Sequence, residues 1–334
     1  MMKRILFGCF LFFAAATNAQ DYHLSQYFST PLLLNPALTA NIDGPYRITG
    51  TYRRQWWQNG FPYNTYTAGF EAKLLKNKLP DYSRLGVGVA ALGDESLGGA
   101  YRNNAALVSF SYHQPLDFEG NSSLGAGVQF NYGNRSINFN RLNYESQFNI
   151  LTEGFDANIN SGESFQTGVK SIFDVNAGLV YTYNDGFNSF YVGTSVYNIR
   201  RPQFSFFADS SSRINLRKLI HGGTNLTLNE ETGSRFTISF LAMQQAKSLE
   251  MNLGAAYGIS IGNNYLYLGA FSRFKDAVYP YVSMQTESFQ VGLSYDILTS
   301  DLKYSSPKRS SIELSFLYVR PDNSEKRRFM PWNY

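Results

Sequence analysis

Apolar and polar residues alternate with a period of two in short segments that recur along most of the chain. In 124–132, Leu124, Val128 and Phe130 share one face, while Gln129 lies on the other. Successive side chains of a β-strand point to opposite faces, so each such segment predicts a strand with one apolar face. The pattern recurs in segments 173–182, 249–257, 289–296 and 312–318.

The chemistry of the two faces favours a membrane barrel over a soluble β-sandwich. Aromatic residues end many of the apolar faces, as in a barrel whose apolar band is flanked by aromatic girdles. The opposite faces are rich in Gly, Ser, Asn and Gln, which suits a hydrated lumen, and only 16% of all residues are charged. After residue 19 no apolar run reaches the roughly 18 residues that a membrane helix needs. The girdle residues are Tyr132, Tyr181, Tyr257, Tyr295 and Tyr318.

The sequence therefore predicts an all-β fold, a transmembrane antiparallel β-barrel of about 14 strands in a bacterial outer membrane. Most candidate strands have about the length that a tilted strand needs to cross the bilayer. The predicted strands are 46–57, 63–75, 82–93, 101–113, 122–135, 171–183, 188–199, 217–228, 234–245, 248–259, 263–275, 277–285, 287–297 and 310–320.

The lengths of the connections predict how the barrel is oriented. Outer-membrane barrels have short periplasmic turns and longer outer loops. If the first strand runs outward, every odd-numbered connection is an outer loop. The long connections 136–170, 200–216 and 298–309 are all odd-numbered, although the ninth and eleventh are very short. We therefore expect both termini in the periplasm.

Segments outside the strands complete the predicted organisation. Residues 1–19 have the charged start, short apolar run and small cleavage-site residues of a secretory signal peptide. Residues 20–45 contain Pro31, Pro36 and Pro45, which predict no regular element, so this segment either plugs the lumen or lies beneath it in the periplasm. The barrel occupies 46–320. The basic, aromatic tail 321–334 is either a disordered end or a periplasmic docking peptide.

Few residues are suited to catalysis or metal binding. The only cysteine, Cys9, lies in the predicted signal peptide, and the mature chain has three histidines, His23, His113 and His221, in no metal-binding motif. A membrane hydrolase is disfavoured for lack of a nucleophile and base pair. We expect no enzyme activity and no cofactor. The net charge of +4 comes from scattered residues, so a nucleic-acid partner is not expected.

Several short motifs resemble those of the PorP/SprF family of type IX secretion-system outer-membrane proteins. Ser25-Gln26-Tyr27 precedes Leu34-Asn35-Pro36-Ala37 near the mature N-terminus. The first strand follows with Tyr52-Arg53-Arg54-Gln55-Trp56, and Pro62 lies just beyond it. The resemblance extends over essentially the whole chain, and the pairing of the two N-terminal motifs is its most specific part. Trp57 and Gln58 depart from the small or basic residues expected there.

This resemblance implies a non-catalytic barrel that helps to secrete and anchor large surface proteins, such as gliding adhesins with a C-terminal sorting domain. The implied partners are the adhesin's C-terminal domain, other type IX subunits, a periplasmic peptidoglycan-linked protein and outer-membrane lipid. The alternative from another class is a passive transporter of hydrophobic small molecules, which the polar lumen face disfavours.

Two groups of residues are candidate contacts for these partners. Exposed aromatic residues commonly contribute binding energy, so those of the long loop 136–170 either bind cargo or cover the barrel mouth. These are Phe139, Tyr144, Phe148, Phe155 and Phe165. The candidates for periplasmic contacts are Asn35, Pro36, Arg327, Arg328, Phe329, Trp332 and Tyr334.

Overall fold

The structure is a computed structural model of the 334-residue chain. It describes residues 24–57, 62–75, 78–149, 152–156, 158–159, 168–206, 212–229, 231–300 and 310–321. The predicted signal peptide 1–19 lies outside the described residues, and so does the tail apart from residue 321.

Fourteen strands of the described chain close into one antiparallel barrel, as the alternation predicts. Each predicted segment corresponds to one observed strand, and the fold class is confirmed. The strands are β1 (Tyr46–Gln55), β2 (Tyr63–Leu74), β3 (Arg84–Ser96), β4 (Tyr101–Pro115), β5 (Ser122–Ile137), β6 (Gly168–Asn184), β7 (Ser189–Tyr197), β8 (Arg217–Asn229), β9 (Ser234–Gln245), β10 (Ser248–Ile261), β11 (Asn264–Arg273), β12 (Ala277–Gln285), β13 (Phe289–Leu298) and β14 (Ser311–Val319).

The barrel closes by pairing its first strand with its last. Arg47 of β1 is opposite Val319 of β14, and Gln55 is opposite Ser311. All other strands pair with their neighbours in sequence. Closure leaves no strand edge in the wall, so the backbone N–H and C=O groups of the strands are satisfied within the sheet, which a bilayer requires.

The two ends of the barrel differ. We call the end at which β1 begins and β14 ends the terminal end, and the opposite end the loop end. The connections at the terminal end are turns of two to nine residues, while the long connections 138–167, 198–216 and 299–310 all open from the loop end. Loop 138–167 contains a short hairpin in which Phe148–Asn149 pairs with Gly154–Phe155.

The strands direct their apolar faces outward. Phe130, Leu179 and Leu253 are among the exposed apolar side chains, and the inward positions of the same strands carry polar residues such as Gln129, which is buried. An apolar outer band over a polar interior is the arrangement of a barrel in lipid. Among the described residues, no helix is both long and apolar enough to cross a membrane.

Residues 24–42 lie inside the barrel, and we call them the plug. They form three short helical turns, Tyr27–Ser29, Pro31–Leu34 and Pro36–Leu38, rather than the fully irregular chain that the prolines predict. Two of these turns begin at a proline because its fixed φ suits a first helical position, where no backbone N–H donor is needed. The plug descends from the loop half of the lumen to the terminal end and continues into β1.

Candidate functional site: the plug and the lumen wall

Four charged residues project into the lumen from the wall, and we call them the charge cluster. They are Arg53 of β1, Arg273 of β11, Asp296 of β13 and Glu313 of β14, and all are buried. Arg53 forms ion pairs with Asp296 at 2.8 Å and Glu313 at 2.9 Å, and Arg273 pairs with Asp296 at 3.0 Å. Buried charges are stable only when paired and hydrogen-bonded, and the cluster meets this condition across four strands.

The charge cluster binds the first residues of the plug. The Glu313 carboxylate accepts hydrogen bonds from two consecutive backbone N–H groups, those of Ser25 at 2.7 Å and Gln26 at 2.8 Å. The Ser25 hydroxyl donates to Asp296 at 2.8 Å and accepts from both Arg53 and Arg273. The site therefore binds both the backbone and the side chain of Ser25.

Gln26 and Tyr27 are also bound through their side chains. The Gln26 amide donates to the backbone carbonyl of Glu313 at 2.8 Å and to Ser294 at 3.1 Å, and its oxygen accepts from Ser315 at 2.6 Å. The Tyr27 and Ser239 hydroxyls lie 2.9 Å apart. The Ser-Gln-Tyr motif thus has a partner on the wall for each of its three side chains.

Further along the plug, Asn35 and Pro36 fit against three glycines of adjacent strands. A Cβ atom on Gly178 of β6 would overlap Asn35 Oδ1, and one on Gly127 of β5 would overlap the Pro36 backbone. Gly193 of β7 approaches the Asn35 amide in the same way. Gly127 and Gly178 are directly paired. We call these three residues the glycine cradle, because only the absence of a side chain allows the plug so close to the wall.

Asn35 fastens the plug within the glycine cradle. Its Oδ1 accepts from the Ala37 backbone N–H at 2.9 Å, which caps the following turn. Its amide nitrogen donates to the carbonyls of Leu179 at 3.0 Å and Thr194 at 3.2 Å and lies 2.9 Å from His221 Nε2. The Asn35 amide nitrogen can only donate, so His221 can contact it only as an acceptor, through Nε2. His221 therefore positions the plug.

At the terminal end the plug contacts a further ion pair, formed by Arg47 and Glu71. The Glu71 carboxylate accepts from the Ala40 backbone N–H at 2.6 Å and from Arg47 Nε at 2.7 Å. The Thr39 and Ser109 hydroxyls are 2.6 Å apart, and Ser111 donates to the Thr39 carbonyl at 2.6 Å. These contacts fix the plug where it leaves the lumen.

The candidate contacts in the N-terminal segment do not lie on a periplasmic surface. Asn35 and Pro36 are buried in the lumen, Asn35 with no exposed area. The expectation that these two residues are available to a periplasmic partner is wrong, because the glycine cradle encloses them. Arg327, Arg328, Phe329, Trp332 and Tyr334 lie outside the described residues.

The candidate aromatics of the long loop divide into two groups. Phe139 was expected to be exposed, but its ring is buried. Tyr144 is half-buried, and its hydroxyl donates to the Phe139 carbonyl at 3.1 Å. Phe148 and Phe155 are exposed on the short hairpin, 44% and 52% respectively, with ring centroids 5.3 Å apart. Phe165 lies outside the described residues. The structure thus brings together two of the five candidates as an exposed pair.

A second loop folds over the mouth of the lumen, which the sequence did not indicate. Phe204 and Phe206 have ring centroids 5.0 Å apart, and the Arg135 guanidinium lies 5.0 Å from the Phe204 ring. Phe206 also contacts Tyr101 edge to face. Arg135 and Tyr101 occupy inward positions at the loop end, so this loop covers part of the opening.

The described residues contain no group of three or more His, Cys, Asp or Glu placed to hold a metal ion. The acids of the lumen are instead paired with arginines or with backbone N–H groups. Several of these acids also contact the plug, as Glu313 does at Ser25 and Gln26 and Glu71 does at Ala40.

The motifs through which the plug contacts the wall are part of a longer sequence match. The sequence profile described as Type IX secretion system membrane protein PorP/SprF matches residues 16–318, from before the plug to the last strand. The chain belongs to the PorP/SprF family. It is thus a membrane component of a type IX secretion system, and the family resemblance expected from its short motifs is confirmed.

Several solved structures are similar to the PorP/SprF chain at TM-scores below 0.5. The monoaromatic hydrocarbon channel CymD is 12% identical and aligns over 88% of this chain and 93% of its own, with a TM-score of 0.46. A FadL homologue from Pseudomonas aeruginosa is 10% identical and aligns over 85% of this chain and 92% of its own, with a TM-score of 0.46. The β domain of the Bordetella autotransporter BrkA is 12% identical and aligns over 83% of this chain and 100% of its own, with a TM-score of 0.42. No curated protein sequence matches the chain.

Proposed function

We propose that this PorP/SprF protein helps to secrete and anchor large cell-surface proteins, such as gliding adhesins with a C-terminal sorting domain. The observation that carries this proposal is the exposed aromatic pair Phe148 and Phe155 on the longest loop. Exposed aromatic side chains that lie together commonly serve as anchors in protein interfaces. The pair would bind the adhesin's C-terminal domain.

The orientation required by this proposal places the loop end outside the cell and both chain termini in the periplasm. Long loops on the outer side and short turns on the periplasmic side are the rule for such barrels. Connections 138–167, 198–216 and 299–310 all lie at one end, which supports this orientation. The tail 321–334 would then be available to a periplasmic peptidoglycan-linked protein, and other type IX subunits would complete the assembly.

The contents of the lumen argue against the alternative of a passive transporter for hydrophobic small molecules. Such a transporter needs a continuous apolar path. Here buried polar residues such as Thr67, Ser109, Gln129 and Asn176 interrupt the apolar part of the wall. The same lumen holds the charge cluster.

A pull-down from outer membranes tests the secretion role. The full chain, tagged within loop 299–310, is solubilised in mild detergent and the copurifying proteins are identified by mass spectrometry. We expect a large secreted protein with a C-terminal sorting domain, together with other type IX subunits. A barrel that carries only lipids or small apolar molecules would contradict the proposal.

A loop replacement then tests the site. Residues 139–166 are replaced by a short Gly-Ser linker, which leaves β5 and β6 intact because these strands end and begin outside that range. We expect a folded barrel that no longer retains the adhesin at the cell surface. If the adhesin is retained at the normal level, loop 138–167 is not its binding site.

A further inference from the structure

The lumen wall contains a recognition site for a peptide. Glu313 binds two consecutive backbone N–H groups, and the Tyr279 hydroxyl donates to the Ser25 carbonyl at 3.0 Å. Asp296 and Ser315 bind the side chains of Ser25 and Gln26. Binding of this kind depends on the identity of the residues, as in the recognition of a ligand. Buried hydrogen-bond partners discriminate strongly against analogues that leave them unpaired.

The wall does not need the plug to satisfy its own charges. Arg53 pairs with Asp296 and Glu313, and Arg273 pairs with Asp296, directly across the wall. The strand ladder is closed through the pairing of β1 with β14 and involves no plug residue. Removal of the plug would therefore leave a closed barrel whose buried charges still have partners.

The wall around the plug has an apolar sector and a polar sector. The plug buries Phe28, Leu32, Leu34, Leu38 and Ile42. Phe28, Leu34 and Leu38 belong to one apolar cluster with wall residues that include Val180, Leu219, Leu241, Phe271 and Tyr281. Other inward wall residues are polar and come from many strands: Thr67, Ser109, Gln129, Asn176, Ser195 and Ser239. This polar sector is typical of the wet lumen of such barrels, and it would line the lumen without the plug.

Several wall donors bind only the backbone of the plug. Gln129 donates to the Leu32 carbonyl at 2.7 Å, and Ser195 donates to the Leu34 carbonyl at 2.9 Å. Water satisfies such donors equally well in a hydrated lumen. Water could therefore replace the plug as the partner of these donors, and the main opposing contribution is the exposure of the apolar side chains of the plug and of the wall, above all Phe28, which packs on Phe271 and Tyr281.

We propose that the plug is a tethered peptide ligand of the lumen, recognised through Ser25, Gln26 and Tyr27, and that its release opens a hydrophilic pore for small polar solutes. The bound state described here is the closed state. This pore function is separate from cargo binding at loop 138–167, because it depends on the plug and the charge cluster, which are buried in the lumen.

The first test weakens the ligand and leaves the wall unchanged. The purified mature chain carrying Ser25→Ala and Gln26→Ala is reconstituted into planar bilayers, and its conductance is compared with wild type. We expect the variant to be open at least about tenfold more of the time. The same double substitution at Ser146-Gln147, a dipeptide of loop 138–167 outside the plug and the barrel strands, is the control and should conduct like wild type. Equal conductance of all three proteins would overturn the proposal.

A thiol reporter shows whether the plug leaves the lumen. Ser29 is buried in the plug, and the only native cysteine is Cys9 in the predicted signal peptide. Ser29→Cys should resist a membrane-impermeant maleimide in the wild-type background and react with it when combined with Ser25→Ala and Gln26→Ala. Heat-dependent gel mobility verifies that the barrel is folded. A folded double variant whose reporter stays protected would overturn release.

A peptide added in trans separates recognition from a purely structural role. A synthetic peptide with the sequence of residues 24–38 should close the pore of the Ser25→Ala, Gln26→Ala protein and restore the low wild-type conductance. The same peptide with alanine at both positions should act only at a much higher concentration. Equal effects of the two peptides, or no effect of either, would show that the wall does not read this motif.

Discussion

The side chain of Asn35 occupies the space that a Cβ atom on Gly178 would fill. Gly178→Ala should therefore push Asn35 away from Leu179 and Thr194 and loosen the plug. Overpacking of this kind costs about 1–3 kcal/mol. We expect faster maleimide labelling of the Ser29→Cys reporter. We also expect the barrel to unfold at a lower urea concentration, with the folded fraction measured by heat-dependent gel mobility. Gly50→Ala is the control, because its nearest neighbour lies 3.8 Å away; equal loosening by both substitutions would contradict the close contact.

Removal of one charge from the charge cluster should destabilise the closed state more than removal of an exposed charge. Glu313→Ala leaves Arg53 with one carboxylate partner and leaves two plug N–H groups unbound. Breaking a buried pair on one side costs about 3–5 kcal/mol. Urea unfolding of the purified barrel measures the loss. Glu95→Ala is the control, because Glu95 forms a partly exposed ion pair with Arg102 at 3.9 Å. This substitution should lower the free energy of unfolding by at most about 1 kcal/mol.

The aromatic pair on the long loop should be required for cargo binding. Phe148→Ser together with Phe155→Ser removes both exposed rings without touching a barrel strand. We expect loss of most surface-retained adhesin, measured by immunofluorescence on intact cells, with a normal amount of folded barrel. Phe118→Ser is the control, since Phe118 is fully exposed in a turn at the terminal end. Retention that is unchanged in the double variant would exclude the pair as an anchor.

The turn between β4 and β5 should respond to pH through Asp117. The pKa of Asp117 is lowered because Ser122 donates its hydroxyl to this carboxylate, and the Asn121 and Ser122 N–H groups also donate to it. The ionised form stabilises the turn, so the effect is present above the ordinary pKa of roughly 4 and is lost as the pH falls through the lowered value.

Amide hydrogen exchange at Asn121 and Ser122 provides the measurement. Protection in the wild-type protein should persist at neutral pH and decline only in strong acid. Asp117→Asn should reduce protection at neutral pH and remove the acid-dependent change. If wild type and variant show the same pH profile, Asp117 does not order the turn.

The barrel wall could be predicted from local properties of the amino-acid sequence. Strand alternation and connection length are local properties, and the bilayer requires that every backbone group in it be paired within a helix or a closed barrel. Once segments such as 124–132 are strands with one apolar face, antiparallel pairing with sequence neighbours and closure of the first strand on the last follow. The short family motifs were also visible without a structure.

What fills the lumen could not be predicted in this way and follows from the complete fold. Prolines in residues 20–45 left a plug and a periplasmic segment equally open, because both avoid regular elements. Arg53 and Glu313 are 260 positions apart in the chain, and no local pattern shows that they meet around Ser25. Phe139 and Phe148 lie in the same loop, yet one is buried and the other exposed. Side-chain burial and long-range ion pairs depend on how the barrel closes, so they follow from the whole fold rather than from any single segment.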